Sequence, residues 1–247
     1  MKKVDFDNEF KNPGSEYRSI PFWAWNDELD TDEIRRQIRE MKSCGIGGFF
    51  IHSRDGLETE YLSDKWFECV SAAVDEAKKS GMFSWLYDED RWPSGTCGGS
   101  ITATDKNGCK GLTLEVCFSV PEKIEGNVLV LYKAEVHEME IYSLERICNA
   151  DGLILSDKEA LLIARLEVSG KSEWFNNSAP PDNLSFDTVS DFINNTHKIY
   201  KKAVGSEFGK TIPGIFTDEP SLADRHASFN PNRSWIPWTE EFEKYFF

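Results

Sequence analysis

The 247 residues carry 43 acidic side chains against 28 basic ones, a formal net charge of −15, with 40% hydrophobic and 13% aromatic content. That balance supports a substantial core and argues against a nucleic-acid or anionic-membrane partner. No apolar run approaches the roughly 18 residues of a membrane span, and "MKKVDFDNEFKNPGSEY" lacks the apolar centre of a signal peptide, so a cytoplasmic location is expected.

The first apolar run, "SIPFWAWN" (19 to 26), reads as a strand. A helix follows, capped by Asp30 or Thr31, with Ile34, Ile38 and Met41 on one face and Gly45 as its stop. "GGFFIHSR" (47 to 54) is a second strand. Ser63 caps a second helix whose apolar face is Trp66, Val70, Ala73, Val74 and Ala77, ended by Gly81. "FSWLYDED" is the third strand. This β-α-β-α-β rhythm of apolar strands and amphipathic helices predicts a parallel sheet.

The rhythm then changes. "GLTLEVCFSV" (111 to 120) alternates strictly, with Leu112, Leu114, Val116, Phe118 and Val120 on one side, as in a half-buried antiparallel strand. "NVLVLYKAEV", "MEIYSLERI" and "ALLIARLEV" look similar and are separated by turn residues. Residues 97–172 are therefore expected to form a β-rich insertion. The helical rhythm resumes over 184–205, with Ser185 as cap and Val189, Ile193, His197 and Tyr200 on one face; there His197 reads as structural. "TIPGIF" (211 to 216) is the fourth strand of the first type, and "WTEEFEKYFF" begins as a helix. Six cysteines without a CxxC pair suit a reduced chain, and the four dispersed histidines offer no zinc site.

In parallel α/β proteins the site lies at the C-terminal ends of the strands. The first strand delivers Trp23, Trp25 and Asn26, and the second His52, Ser53 and Arg54. The third delivers Tyr87, Asp88, Glu89, Asp90, Arg91 and Trp92, and the fourth Thr217, Asp218 and Glu219. Carboxylates flanked by indoles suit a sugar, because aromatic faces stack on a pyranose while polar groups bond its hydroxyls. Glycoside hydrolysis needs a pair of carboxyl groups. No GxSxG, P-loop or GxGxxG offers a competing chemistry. Trp66 and Trp85 fit the core, whereas Trp174, Phe175 and Asn176 are further candidates for substrate contact. The acidic run does not have EF-hand spacing.

"IPFWAWNDELDTDEIRRQIREMKSCGIGGFFIHSR", "WLYDEDRWPSGTCGG" and "FGKTIPGIFTDEP" resemble the N-terminal part of the catalytic barrel of glycoside hydrolase family 106, the α-L-rhamnosidase-like proteins. The resemblance covers most of residues 17–225. It implies a (β/α)8 TIM barrel, cleavage of an O-glycosidic bond with inversion, and a Ca2+ ion near the sugar. By motif position it makes Glu219, with its neighbour Asp218, the candidate catalytic carboxylates. His52, Arg54, Asp88, Glu89 and Arg91 become candidates for substrate or ion contact, and Trp25, Asn26 and Trp92, from the strand ends, join them as candidates for contact with the carbohydrate substrate.

A full barrel takes about 250 residues. The expected fold is therefore α/β, the first half of a (β/α)8 barrel over residues 1–247: four βα units with the β-rich insertion after strand three. The alternatives are a retaining β-galactosidase-like barrel and a non-catalytic sugar-binding remnant. Half a barrel leaves sheet edges open, so self-association through those edges is also expected.

Overall fold

In a computed structural model, residues 6–138, 140–222 and 233–246 are described. The chain divides into two compact units, Met1–Gly98 with Ser190–Pro220, and Gly99–Val189 with Ser221–Phe247. The fold is mixed α/β, with one parallel and one antiparallel sheet.

The first unit opens with a short helix, α1 (Phe6–Lys11), and then alternates as the sequence predicts. Strand β1 (Phe22–Trp25) leads to α2 (Thr31–Ser43), β2 (Gly48–Ser53), α3 (Asp64–Ser80) and β3 (Phe83–Tyr87). The helix boundaries have local causes. Asp30 Oδ1 accepts the backbone N–H groups of Asp32 and Glu33 at 3.0 and 2.9 Å, satisfying two of the orphan donors at the start of α2. Ser63 Oγ accepts the Trp66 N–H at the start of α3. Gly81, with φ +60°, ends α3 in the left-handed conformation that glycine adopts without steric cost.

The antiparallel unit contains β4 (Lys110–Cys117), β5 (Val128–His137), β6 (Glu140–Ile147) and β7 (Glu159–Val168), all within the predicted insertion. The unit itself is larger than 97–172, because it also draws in residues 173–189 and 221–247. Chain order then gives helices α4 (Phe186–Asn195) and α5 (His197–Val204), strand β8 (Ile215–Phe216), strand β9 (Ser234–Trp238) and helix α6 (Phe242–Phe246).

The parallel sheet has the order β1-β2-β3-β8. One face carries Trp25, Phe49, Ile51 and Leu86. It packs on Ile34 and Ile38 of α2, Trp66, Val70, Ala73 and Val74 of α3, and Tyr200 of α5. Trp66 Nε1 donates to Tyr200 Oη at 3.1 Å inside this core, giving the buried indole the partner it needs. The register aligns Phe22 with Phe50 and Phe50 with Trp85, which puts an aromatic layer on the opposite face. Phe22 lies 5.0 Å from Phe50 and 5.1 Å from Phe216 between ring centroids, and Phe50 stacks on Trp85 at 5.2 Å.

The structure departs from the sequence reading at four places. The helix expected over 184–205 is two helices, broken at Thr196, whose ψ of −77° and φ of −122° are not helical and whose Oγ1 donates to the Phe192 carbonyl at 2.6 Å. A side chain that takes a backbone carbonyl competes with the helical ladder. Strand β8 is two residues long instead of six, since Pro213 has no N–H to give to a ladder. On β4 the alternating apolar set is not the buried face: Thr113 is 0% exposed while Val116 is 41% exposed. The cause is its neighbour β7, a continuous apolar run that is central in the sheet order β6-β5-β7-β4-β9, so both faces are partly covered there. Beside Thr113, Arg165 pairs with Glu115 at 2.7 Å, and Arg233 with Glu167. Finally, β9 pairs antiparallel with β4 at the sheet edge, where Pro237 is tolerated. The sequence reading assigned no strand there. Among the described residues, no helix is long and apolar enough to cross a membrane.

Candidate functional site

The C-terminal ends of β1, β2, β3 and β8 lie at one end of the parallel sheet, because all four strands run in the same direction. Strand β3 runs directly into Asp88 and Glu89, both 0% exposed. Burying two adjacent carboxyl groups is costly unless each is fully hydrogen-bonded, and here each is.

Glu89 organises its own loop. Its Oε1 accepts the N–H groups of Asp90 at 2.9 Å and Gly98 at 2.6 Å. Its Oε2 accepts those of Gly95, Thr96 and Cys97 at 3.0, 2.7 and 2.8 Å. The loop can wrap one carboxyl group in this way because Gly95 and Gly98 take φ of +131° and +64°. Burial pushes the Glu89 carboxyl up to about 7, against the opposing pull of the backbone donors. Ser53 Oγ, at the end of β2, sits 2.6 Å from the carbonyls of both Glu89 and Asp90 and holds the loop to its neighbour strand.

Asp88 joins three segments. Oδ1 accepts from Ser94 Oγ at 2.6 Å, and Oδ2 accepts from Thr217 Oγ1 at 2.6 Å and His197 Nε2 at 2.9 Å. The bond to Asp88 places the His197 proton on Nε2.

Beyond these buried groups, Asp218 and Glu219 follow β8. Burial, then the neighbouring Glu219 charge, raises the Asp218 carboxyl above the ordinary aspartate value. Glu219 is exposed, and its Oε2 accepts the Trp92 indole N–H at 3.2 Å. Its φ is +44°, a left-handed conformation that costs a residue with a β-carbon about 1–3 kcal/mol and that collects at functional sites. On the aromatic face, His52 stacks on Tyr87 with centroids 4.0 Å apart. Burial, then the Arg54 charge, lowers the His52 pKa. Arg91 pairs with Asp55 at 2.8 Å.

The strand ends thus gather His52, Arg54, Arg91, Trp92, Asp218 and Glu219. Trp25, predicted as a substrate contact, instead turns into the helix-side core, 2% exposed against Trp66. Asn26 is exposed at the end of β1. Asp88 and Glu89, also predicted as contacts, lie beneath the surface with their oxygens engaged by hydrogen-bond donors. They do not fit the Ca2+ ion that the resemblance implies, which needs several free oxygen ligands. Among the described residues no group of three or more His, Cys, Asp or Glu side chains is arranged to hold a metal. Ser94 and His197, partners of Asp88, are not among the predicted site residues; the sequence reading leaves out Ser94 and makes His197 structural. The sequence signal is a serine in the Pro-Ser-Gly turn six residues after Asp88; for His197 there is none, because the break at Thr196 shows only in the structure.

Trp174, Phe175 and Asn176 belong to the antiparallel unit, where Phe175 is buried and Trp174 exposed. That unit also carries a groove of about 730 Å3 between residues 120–131 and 146–151, formed by segments that contribute nothing to the parallel strand ends.

No family model matches the sequence, and no curated protein matches it. Among solved structures it is similar to a rhamnosidase from Novosphingobium sp. PP1Y, with 21% identity and a TM-score of 0.39. The likeness covers 54% of this chain and 15% of that protein, so the chain spans a small part of its length.

Proposed function

We propose that the parallel unit is the sugar-binding and catalytic part of a glycoside hydrolase, acting on O-glycosidic bonds of α-L-rhamnoside type, with Glu219 as the acid/base carboxyl. The observation that carries this reading is the pairing of the Glu219 carboxylate with the Trp92 indole at a parallel strand end, on a backbone held at φ +44°. An indole beside a carboxylate offers a stacking surface for a pyranose and a proton donor at its edge. Asp218 and His52 add polar groups at the same end of the sheet. In this reading the parallel strands β1, β2, β3 and β8 are part of a (β/α)8 barrel, and Glu219 works with a second carboxyl group, as glycoside hydrolysis requires. The test is a titration of the chain with L-rhamnose, followed by tryptophan fluorescence. A saturable change that disappears in Trp92→Phe supports the reading. A panel of monosaccharides without any Trp92-dependent response, together with no turnover of aryl α-L-rhamnosides, would remove it.

The same reading makes this chain self-associate. Among the described residues β1 pairs only with β2, and β8 only with β3, so each has an open edge. Phe22, on the aromatic face next to one edge, is 56% exposed. Open edges and exposed apolar faces favour pairing with another chain. Sedimentation at micromolar concentration is expected to show species larger than a monomer. A single monomeric boundary across a tenfold concentration range would count against the half-barrel.

A further inference from the structure

The bonds around Asp88 bear on Glu219. Asp88 N–H donates to the Phe216 carbonyl at 3.3 Å, and its side chain accepts from Thr217 Oγ1 at 2.6 Å. Ser94, which donates to Asp88 Oδ1, also clamps the next residue. Its N–H donates to the Asp218 carbonyl and its Oγ accepts the Asp218 N–H, both at 2.9 Å. Residues 216, 217 and 218 are therefore each tied to Asp88, directly or through Ser94, and Glu219 comes next. A residue in the left-handed region stays there only where its surroundings over-determine it.

We infer that Asp88 is a positioning residue for Glu219: through Thr217 and Ser94 it fixes the backbone leading into Glu219 and so sets where the carboxylate meets the Trp92 indole. His197 supplies the third donor to Asp88 from the start of α5, which keeps the buried carboxylate oriented. The inference takes its functional meaning from the proposed role of Glu219, but the geometry can be tested without any sugar.

The probe is the Trp92 indole N–H signal in a 15N-labelled chain, assigned by its absence in Trp92→Phe and followed with pH. In the wild type the signal is expected to move with pH, and Glu219→Gln to abolish the movement. In Thr217→Val, which removes one bond to Asp88, and in Ser94→Ala, which removes a bond to Asp88 and the acceptor of the Asp218 N–H, the movement is expected to fall to less than half. Thr217→Ser, which keeps the hydroxyl, restores it. Asp88→Asn, which keeps one acceptor oxygen and turns its NH2 group either toward Ser94 or toward Thr217 and His197, is expected to reduce it likewise; if that variant does not fold, the Ser94 and Thr217 variants carry the test. A purely structural Asp88 would lower the melting temperature of these variants and leave the movement intact in the folded molecules, and that result overturns the inference. A wild-type signal that is indifferent to Glu219→Gln overturns it too. If the variants behave as expected while L-rhamnose leaves the signal unmoved, the positioning role stands and the glycosidase reading falls alone.

Discussion

On the proposed acid/base role, Glu219→Gln is expected to lower kcat on a natural glycoside by about 100- to 10,000-fold, the usual contribution of a positioned general acid or base. The loss should be far smaller on activated aryl glycosides, whose leaving oxygen needs little help from a proton. The glutamine keeps an acceptor for the Trp92 indole, so the geometry at the strand end survives and only the proton is removed. Glu219→Gly provides the complementary measurement. It releases a residue held at φ +44°, which for a glycine carries no steric penalty. Its melting temperature should match or exceed that of the wild type while activity is lost. A gain of stability with loss of function is the mark of strain kept for chemistry. Unchanged turnover of a natural substrate by the glutamine variant would show that another carboxyl group does the work.

The largest effect on stability is expected at Glu89. In Glu89→Gln the side-chain amide must face either the N–H groups of Asp90 and Gly98 or those of Gly95, Thr96 and Cys97. Either way at least two buried donors lose their acceptor, at about 1–3 kcal/mol each. The parallel unit should melt at a much lower temperature, and the 89–98 loop should become the first site of proteolysis. The pH dependence has a definite sign. The folded carboxyl titrates near 7, above its ordinary value of 4.5. Between those values the folded chain holds a proton that the unfolded chain has released, so stability falls as pH rises through that window. His52, whose pKa is lowered, acts in the other direction at the acid end. The Glu89 contribution is therefore isolated by comparing wild type with Glu89→Gln, which has nothing to titrate there. A variant that melts with the wild type, or that keeps its slope between about 4.5 and 7, would mean that Glu89 does not organise the loop.

What the sequence by itself determined is local. The alternation of β1, α2, β2, α3 and β3 was legible because apolar periodicity, the caps at Asp30 and Ser63 and the stop at Gly81 act within a few residues of one another. The residue types at the strand ends were legible for the same reason, since a parallel order fixes which end of each strand faces the site. The tertiary structure decided which of those residues can meet a ligand. Asp88, Glu89 and Asp90 are consecutive in "YDEDRW", yet the first two are buried anchors, and the accessible carboxylate is Glu219. Their donors come from far away in sequence: Thr217 is 129 positions from Asp88, and His197 is 109. Nothing local could have placed Trp25 in the core rather than at the rim, or revealed that β9 supplies an edge to β4. Periodicity and capping are interactions between neighbours, whereas the burial and satisfaction of a charge depend on groups that only the folded chain brings within hydrogen-bond distance.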